Sequence, residues 1–416
     1  MSALAFAAGA ASWCWFARAR FFQAKDQRGA LSTLFGKPYL RDLECRGKDE
    51  STLLDAVRRI VPGASDVQPK DVEIKPISGG ITNALFSLSF RSGIKTVLLR
   101  IFGAEGMIDR DIENPTFEAL TRHLGVPEYY GRFANGRIEG MLVGYRALET
   151  DEMSSASISV EIARNLARMH KFCIPKHLRQ FYQEPGLWKQ IWLWFQQASE
   201  ASTMARMKEN AARDAEYLDD IDFLAAKAEL MGLESRMKKT SPVAFCHNDL
   251  LAGNIMISGS TGEIALIDFE YGGVNYVAFD IANHFNEWAG GTDNAIPDYS
   301  KFPSAEQQRA FCSAYVDALQ DQGESVSEEE RLKRVDELLD DVSDFVLADH
   351  WYWGLWAINQ ARDETCEDFD YMLYAHKRIG RYFALVNKHN VARSLRGFVV
   401  SKSHRGSMDR DHHEFD

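Results

Sequence analysis

Two short apolar runs, Ala244-Phe-Cys246 and Ile264–Phe269, flank a polar stretch reading His247-Asn248-Asp249 and then Asn254. The second run carries Asp268-Phe269-Glu270, and Asp268 follows nineteen residues after Asp249. Apolar runs of this length bounded by polar residues are expected as buried strands. A loop in an H-x-D-x-x-x-x-N pattern lets the aspartate and asparagine converge on one side of a tight turn. Few arrangements need three oxygen-bearing side chains at these intervals beside two strands.

Phosphoryl transfer from ATP is one chemistry that does. It requires a carboxylate to orient the attacking hydroxyl and accept its proton, ligands to hold Mg²⁺ against the phosphates, and fixed donors to neutralise the triphosphate. On this reading Asp249 is the base, Asn254 a magnesium ligand and Asp268 the main magnesium ligand, all offering the oxygen donors that Mg²⁺ prefers. Protein kinases use HRD…N and DFG in the same way. Glu270 stands where DFG has glycine, and either supports the metals or bonds the nearby loop.

The surrounding pattern predicts an α+β protein. Residues 51–62 have apolar positions at helical spacing. Val72–Ile77, Ala84–Phe90, Thr96–Ile101, Tyr129–Phe133 and Gly140–Ala147 read as strands, with one helix near Thr116–Leu124. After Asp151 the chain becomes mainly helical: 157–172, then 186–240, then from Phe279 to about Val386. The expected organisation is an extension over 1–50, a sheet-rich lobe over 51–150, a helical lobe over 151–390 and a disordered tail over 391–416. A chain of 416 residues suits two lobes better than one small core. With 48 basic residues against 60 acids the net charge is −12, which argues against a nucleic-acid binder. The six cysteines are scattered without a CxxC pair, as expected of reduced thiols in the cytoplasm.

Asp268-Phe-Glu-Tyr271-Gly-Gly-Val-Asn275-Tyr276-Val-Ala-Phe279-Asp280-Ile-Ala-Asn283-His284-Phe285-Asn286-Glu287-Trp288 resembles a long signature of the choline/ethanolamine kinases. The resemblance extends back to Ile77-Ser-Gly-Gly-Ile-Thr-Asn83 and Val97-Leu-Leu-Arg100-Ile-Phe-Gly103, and forward to His350-Trp-Tyr-Trp353-Gly-Leu-Trp356-Ala-Ile-Asn-Gln360. It covers roughly residues 70–390 and implies a protein-kinase-like two-lobed fold that uses ATP and Mg²⁺. Ser78, Gly79, Gly80, Thr82 and Asn83 would form the phosphate loop, since glycines let the backbone approach phosphates and the polar side chains can donate to them. Arg100 takes the place of the protein-kinase lysine and would pair with phosphates. Arg110 is a candidate nucleotide contact, and Glu113 or Glu118 a candidate partner for Arg100. His247 and Asp280 would be structural, Asp280 bracing the catalytic loop by accepting backbone N–H bonds.

The resemblance places a small cationic amino alcohol at the other end. Trp353 and Trp356, three apart on a helix, share a face. With Tyr271 they could form an aromatic wall attractive to an ammonium, and Glu287 supplies a carboxylate; two such tryptophans also serve ordinary core packing. Trimethylammonium has no N–H, whereas a primary ammonium has three donors that need acceptors. Gly80-Ile-Thr-Asn83, Phe285-Asn-Glu-Trp-Ala-Gly290 and Asn135-Gly-Arg-Ile-Glu139-Gly resemble the ethanolamine kinases. Gly253 is a departure towards the choline kinases. Ethanolamine is therefore the first-choice substrate and choline the second, the product being the first intermediate of phosphatidylethanolamine synthesis. The competing class is an inactive kinase-like binding module, against which Asp249, Asn254 and Asp268 stand intact.

Residues 4–17 are mostly apolar, and arginines precede the first acid, Asp26. The run is too short for a membrane span. A mitochondrial presequence or a membrane-surface anchor over residues 1–25 is the alternative to a plain extension. A homodimer is compatible with the sequence.

Overall fold

The computed structural model describes residues 37–47, 49–77, 83–103, 109–200, 221–237, 241–320, 326–363 and 369–387. Ser78, Gly79, Gly80 and Thr82, the segment 1–25 and the tail 391–416 lie outside the described residues. Along the chain come β1 (Tyr39–Leu40), α1 (Glu50–Ile60), β2 (Val72–Ile77), β3 (Asn83–Phe90), β4 (Val97–Phe102), α2 (Arg110–Leu124), β5 (Tyr129–Phe133), β6 (Gly136–Gly140) and β7 (Tyr145–Ala147). Helices α3 (Ala156–His170), α4 (Leu187–Ser199) and α5 (Phe223–Arg236) follow, then β8 (Val243–Cys246), β9 (Ile255–Ser258), β10 (Ile264–Leu266) and β11 (Gly273–Tyr276). The chain continues through α6 (Val277–Glu287), α7 (Ala305–Leu319), α8 (Glu328–Asp363) and a helix over residues 371–387, α9. The protein is α+β, sheet-rich towards its N-terminus and helical towards its C-terminus.

The chain forms two compact units. The first takes in the residues up to 147 together with 165–183 and 254–272. Its six-stranded sheet runs in the order β1-β5-β6-β4-β3-β2, antiparallel except for the β1–β5 pair. Leu88, Val97, Leu99 and Ile138 are fully buried on one face, against Leu53 and Val57 of α1. Asp49 starts α1 by accepting the Ser51 N–H, and Asp109 starts α2 by accepting that of Asp111. The latter cap sets the start of α2 six residues before the apolar pattern alone suggests. Gly125, at φ 86°, ends it in the left-handed conformation that glycine adopts without penalty.

Of the strand expected over 140–147, Gly140 ends β6, which begins at Gly136, and Tyr145–Ala147 forms β7 in a different sheet. β6 pairs with β4 and β5, whereas β7 pairs with β9, which in turn pairs with β10. Gly144, at φ 82°, lies between them and turns the chain. These β7–β9–β10 pairings are what bring segment 254–272 into the first unit.

The second unit is mainly helical, with a two-stranded antiparallel sheet of β8 and β11. α8 packs against α4, α6 and α7, and every residue of α6 is buried. Among the described residues, Cys45, Cys173, Cys246 and Cys312 are free thiols, and no helix is long and apolar enough to cross a membrane.

Close strand approach makes one glycine indispensable. A Cβ on Gly136 would lie 2.2 Å from the Arg100 carbonyl oxygen and 2.3 Å from the Phe133 ring. Gly136→Ala should therefore destabilise the first unit by about 2 kcal/mol or more. Urea unfolding checks this; a midpoint equal to wild type would contradict the close approach.

Candidate active site

Each unit carries some of the candidate residues. In the first, Arg100 of β4 stands directly across from Arg137 of β6. Like charges so placed repel, and both side chains are almost wholly buried. Glu139, two residues along β6 and on the same face, resolves the conflict by accepting from Nε of Arg137 and, at 3.3 Å, from Nε of Arg100.

The pairing continues on both sides. Arg100 Nη1 reaches Asp268 Oδ1 at 3.1 Å. Arg137 Nη1 donates to Glu113 and its guanidinium lies 3.8 Å from the Phe117 ring centroid. Arg110 lies 3.6 Å from Glu113 and 3.2 Å from Glu270. The result is a closed ring, Asp268–Arg100–Glu139–Arg137–Glu113–Arg110–Glu270, shut by the backbone between 268 and 270. Glu113 and Glu118 do not pair with Arg100 as expected. Glu113 is taken by Arg110 and Arg137, and Glu118 by Arg122 at 2.8 Å one turn along its helix.

Four carboxylates face three guanidiniums in this ring, so it is short of one positive charge. Burial, and then the neighbouring Asp268 charge, raise the Glu270 pKa against the pull of Arg110 and Arg100. Burial alone would lower the pKa of Arg100, but Asp268 and Glu139 hold it charged and raise it. The hairpin register brings the oxygen donors together. β9 pairs with β10, the Ile267 N–H donates to the Asn254 carbonyl at 3.0 Å, and Asp268 is the next residue. Asp268 itself is left-handed, at φ 62° and ψ 63°, a conformation that aspartate tolerates better than most residues. A carboxylate pair deficient in positive charge, with an asparagine at the same hairpin end, fits a hard divalent cation such as Mg²⁺. Asn83, opening β3, points Nδ2 to Glu270 at 3.5 Å, and Tyr271 ends the short turn Phe269–Tyr271.

In the second unit, α6 aims a polar stripe at the loop 247–250. Asp280 accepts the backbone N–H groups of His247 and Asn248, both at 2.7 Å. Asn283 accepts that of Leu250 at 2.6 Å. His284 Nδ1 donates to the Leu250 carbonyl at 3.1 Å while Nε2 accepts from Trp288. Burial pushes the His284 pKa down to about 4, so the ring stays neutral in that tautomer. Asn248 is left-handed at φ 66°, pinned by Asn275 at 2.9 Å. Held at four backbone groups, the loop presents Asp249, which remains partly exposed.

The end of the same stripe is Glu287. It accepts from Arg378 Nη1 at 2.9 Å, and the other arm of Arg378 binds Asp349. Burial raises the Glu287 pKa to about 7 against the attraction of Arg378. Asp349, Trp353 and Trp356 are spaced four and three apart and share a face of α8. The Trp353 and Trp356 rings are 5.3 Å apart, Trp356 and Tyr371 5.7 Å, Tyr371 and Phe369 4.9 Å, and Phe369 and Tyr374 5.6 Å. Tyr374 closes the series by bonding Arg378 Nη1 at 2.9 Å. A continuous aromatic wall thus runs up to a buried carboxylate pair.

The family model for choline/ethanolamine kinases matches residues 74–383. The human choline/ethanolamine kinase is 32% identical over 387 residues, covering 85% of this chain and 94% of that protein. Mouse ethanolamine kinase 1 is 34% identical and covers 76% of this chain and 85% of its own. Among solved structures, Plasmodium vivax ethanolamine kinase superposes with a TM-score of 0.66 at 26% identity, covering 85% of this chain and 96% of that one. The chain belongs to the choline/ethanolamine kinase family. Within this kinase, Arg137, Glu139, Asp349, Tyr371, Tyr374 and Arg378 are the site-adjoining residues that sequence reasoning missed. Tyr371 and Tyr374 carried a weak signal, being three apart in a helical stretch. The buried charges carried none, because hydropathy assigns them to the surface.

Arg137→Met should destabilise this kinase by about 3–5 kcal/mol, since it leaves Glu113 and Glu139 buried without their shared cation. Denaturant unfolding would check this, and a loss below that of an exposed pair would mean the ring carries little.

Proposed function

We propose that this kinase phosphorylates ethanolamine in preference to choline, making phosphoethanolamine for headgroup synthesis. The observation that carries the preference is the buried Glu287 carboxylate at the end of the aromatic wall. A primary ammonium has three N–H donors and loses much if they stay unpaired, whereas trimethylammonium has none. The stacked rings of Trp353, Trp356 and Tyr371 suit the methylated head, which favours choline as a second substrate. Gly253 weighs little for choline, because a Cβ there would meet only the tip of Leu251, at 3.0 Å.

Asp249 would take the hydroxyl proton as that oxygen bonds to the γ-phosphorus and the bridging oxygen leaves with ADP. Asn254 and Asp268, with Glu270 behind them, would hold Mg²⁺, which neutralises charge on the phosphates. Arg100 and Arg110 would exchange carboxylate partners for phosphate, supported by Asn83 and by Ser78, Gly79, Gly80 and Thr82. Glu287, Trp353 and Trp356, with Tyr271, would receive the ammonium.

Asp249→Asn should lower kcat with ethanolamine by roughly a thousandfold and leave equilibrium binding of MgATP close to wild type. Parallel loss of nucleotide binding would assign Asp249 to the nucleotide instead of to the proton.

A further inference from the structure

The charges around Glu287 do not balance. Asp349 is wholly buried and accepts from Asn283 at 3.1 Å, from Asn286 at 2.8 Å and from Arg378. Glu287, 3% exposed, accepts from the other arm of the same guanidinium. One cation therefore serves two buried carboxylates. Among the described residues, no other group packed there supplies a second. On α6, His284 is held neutral by burial. On α8, His350 is fully buried and burial keeps its pKa well below the usual range. The phenols of Tyr374 and Tyr299 are pushed up by burial and remain neutral. Arg381 lies over the ring of Tyr299, 4.8 Å from its centroid, and is partly solvated.

We propose that Asp349 is a specificity-determining residue: by sharing Arg378 with Glu287 it leaves this buried cluster one negative charge in excess, matched to a single monocationic ammonium. This rests on the reading of the Glu287 region as the amine site. Burial raises the Asp349 pKa, but Arg378 and the Asn286 and Asn283 amides oppose it, and with these three donors the carboxylate takes half of the guanidinium. Glu287 keeps acceptor capacity and an uncompensated charge. An ammonium restores neutrality in a place where unpaired charge is expensive, whereas an uncharged alcohol of the same shape does not. Were Asp349 neutral, Arg378 would satisfy Glu287 alone and the attraction for the ammonium would fall.

The sign of the pH dependence follows. Glu287 must be ionised to receive the ammonium and its pKa lies near 7, so KM for ethanolamine should fall as pH rises through that value. The same proton equilibrium makes the empty fold less stable as pH rises through the interval between the ordinary glutamate pKa and about 7. A saturating amine should then raise the melting temperature more at the alkaline end.

The experiment measures KM for ethanolamine, choline and the uncharged tert-butyl analogue of choline from about pH 6 to about pH 8, in wild type and Asp349→Asn. Asparagine keeps the shape and one acceptor. The variant should raise KM for both amines by about tenfold or more and shrink discrimination against the neutral analogue. It should also move the inflection to lower pH, because Glu287 loses a repelling neighbour; a purely structural lesion would not shift it that way. KM for MgATP should stay unchanged. Unchanged amine KM and inflection would overturn the assignment. If the variant does not fold, a wild-type KM that is flat across this pH range overturns it by itself. If wild type turns over neither amine, the functional reading fails and this assignment with it.

Discussion

A fully buried helix that carries charged and amide side chains must find partners for them, and α6 finds most of them by organising what surrounds it. Asp280, Asn283 and His284 have no water to turn to, so they bind the backbone of residues 247–250. That fixes a loop containing a left-handed asparagine, which would otherwise relax. Asn286 and Glu287, one turn on, bond Asp349 and Arg378 respectively. A single helix thereby connects the loop that presents Asp249 to the carboxylates beside the aromatic wall. The need to pair buried polar groups, more than any one apolar contact, sets the geometry of this unit.

The first unit obeys the same rule with ionic groups. Two arginines opposite each other on adjacent strands would push β4 and β6 apart, and Glu139 between them turns repulsion into a bridge. The ring that follows reaches Asp268 and Glu270 and ends one positive charge short. Both units thus pair more buried carboxylates than guanidiniums, which is what the proposed divalent ion and organic ammonium would each offset. The net charge of the whole chain could not have located either, because most of the acids among the described residues are not buried.

Much of the site was legible because local spacing constrains it. The H-x-D-x-x-x-x-N loop between apolar runs, the Asp268-Phe-Glu step, and the tryptophans three apart all depend on neighbours close in sequence. The strands over 72–102 and 129–133 were legible from alternation and apolar runs. What stayed hidden depends on tertiary pairing. Arg137 and Glu139 read as ordinary alternating polar residues until β4 lies beside β6, and Arg378 reads as a surface arginine of an amphipathic helix. The break between β6, which ends at Gly140, and β7, which begins at Tyr145, turns on Gly144 and on the partner strand β9, neither of which an apolar count reveals. The early start of α2 depends on the Asp109 cap, a signal that was present but outweighed by the absence of an apolar stripe before Thr116.

The most direct measurement is MgATP-dependent phosphorylation of ethanolamine and choline side by side, comparing kcat/KM. Turnover of both with ethanolamine clearly favoured is the expected result. Failure to phosphorylate either amine, by protein that still binds MgATP, would contradict the account.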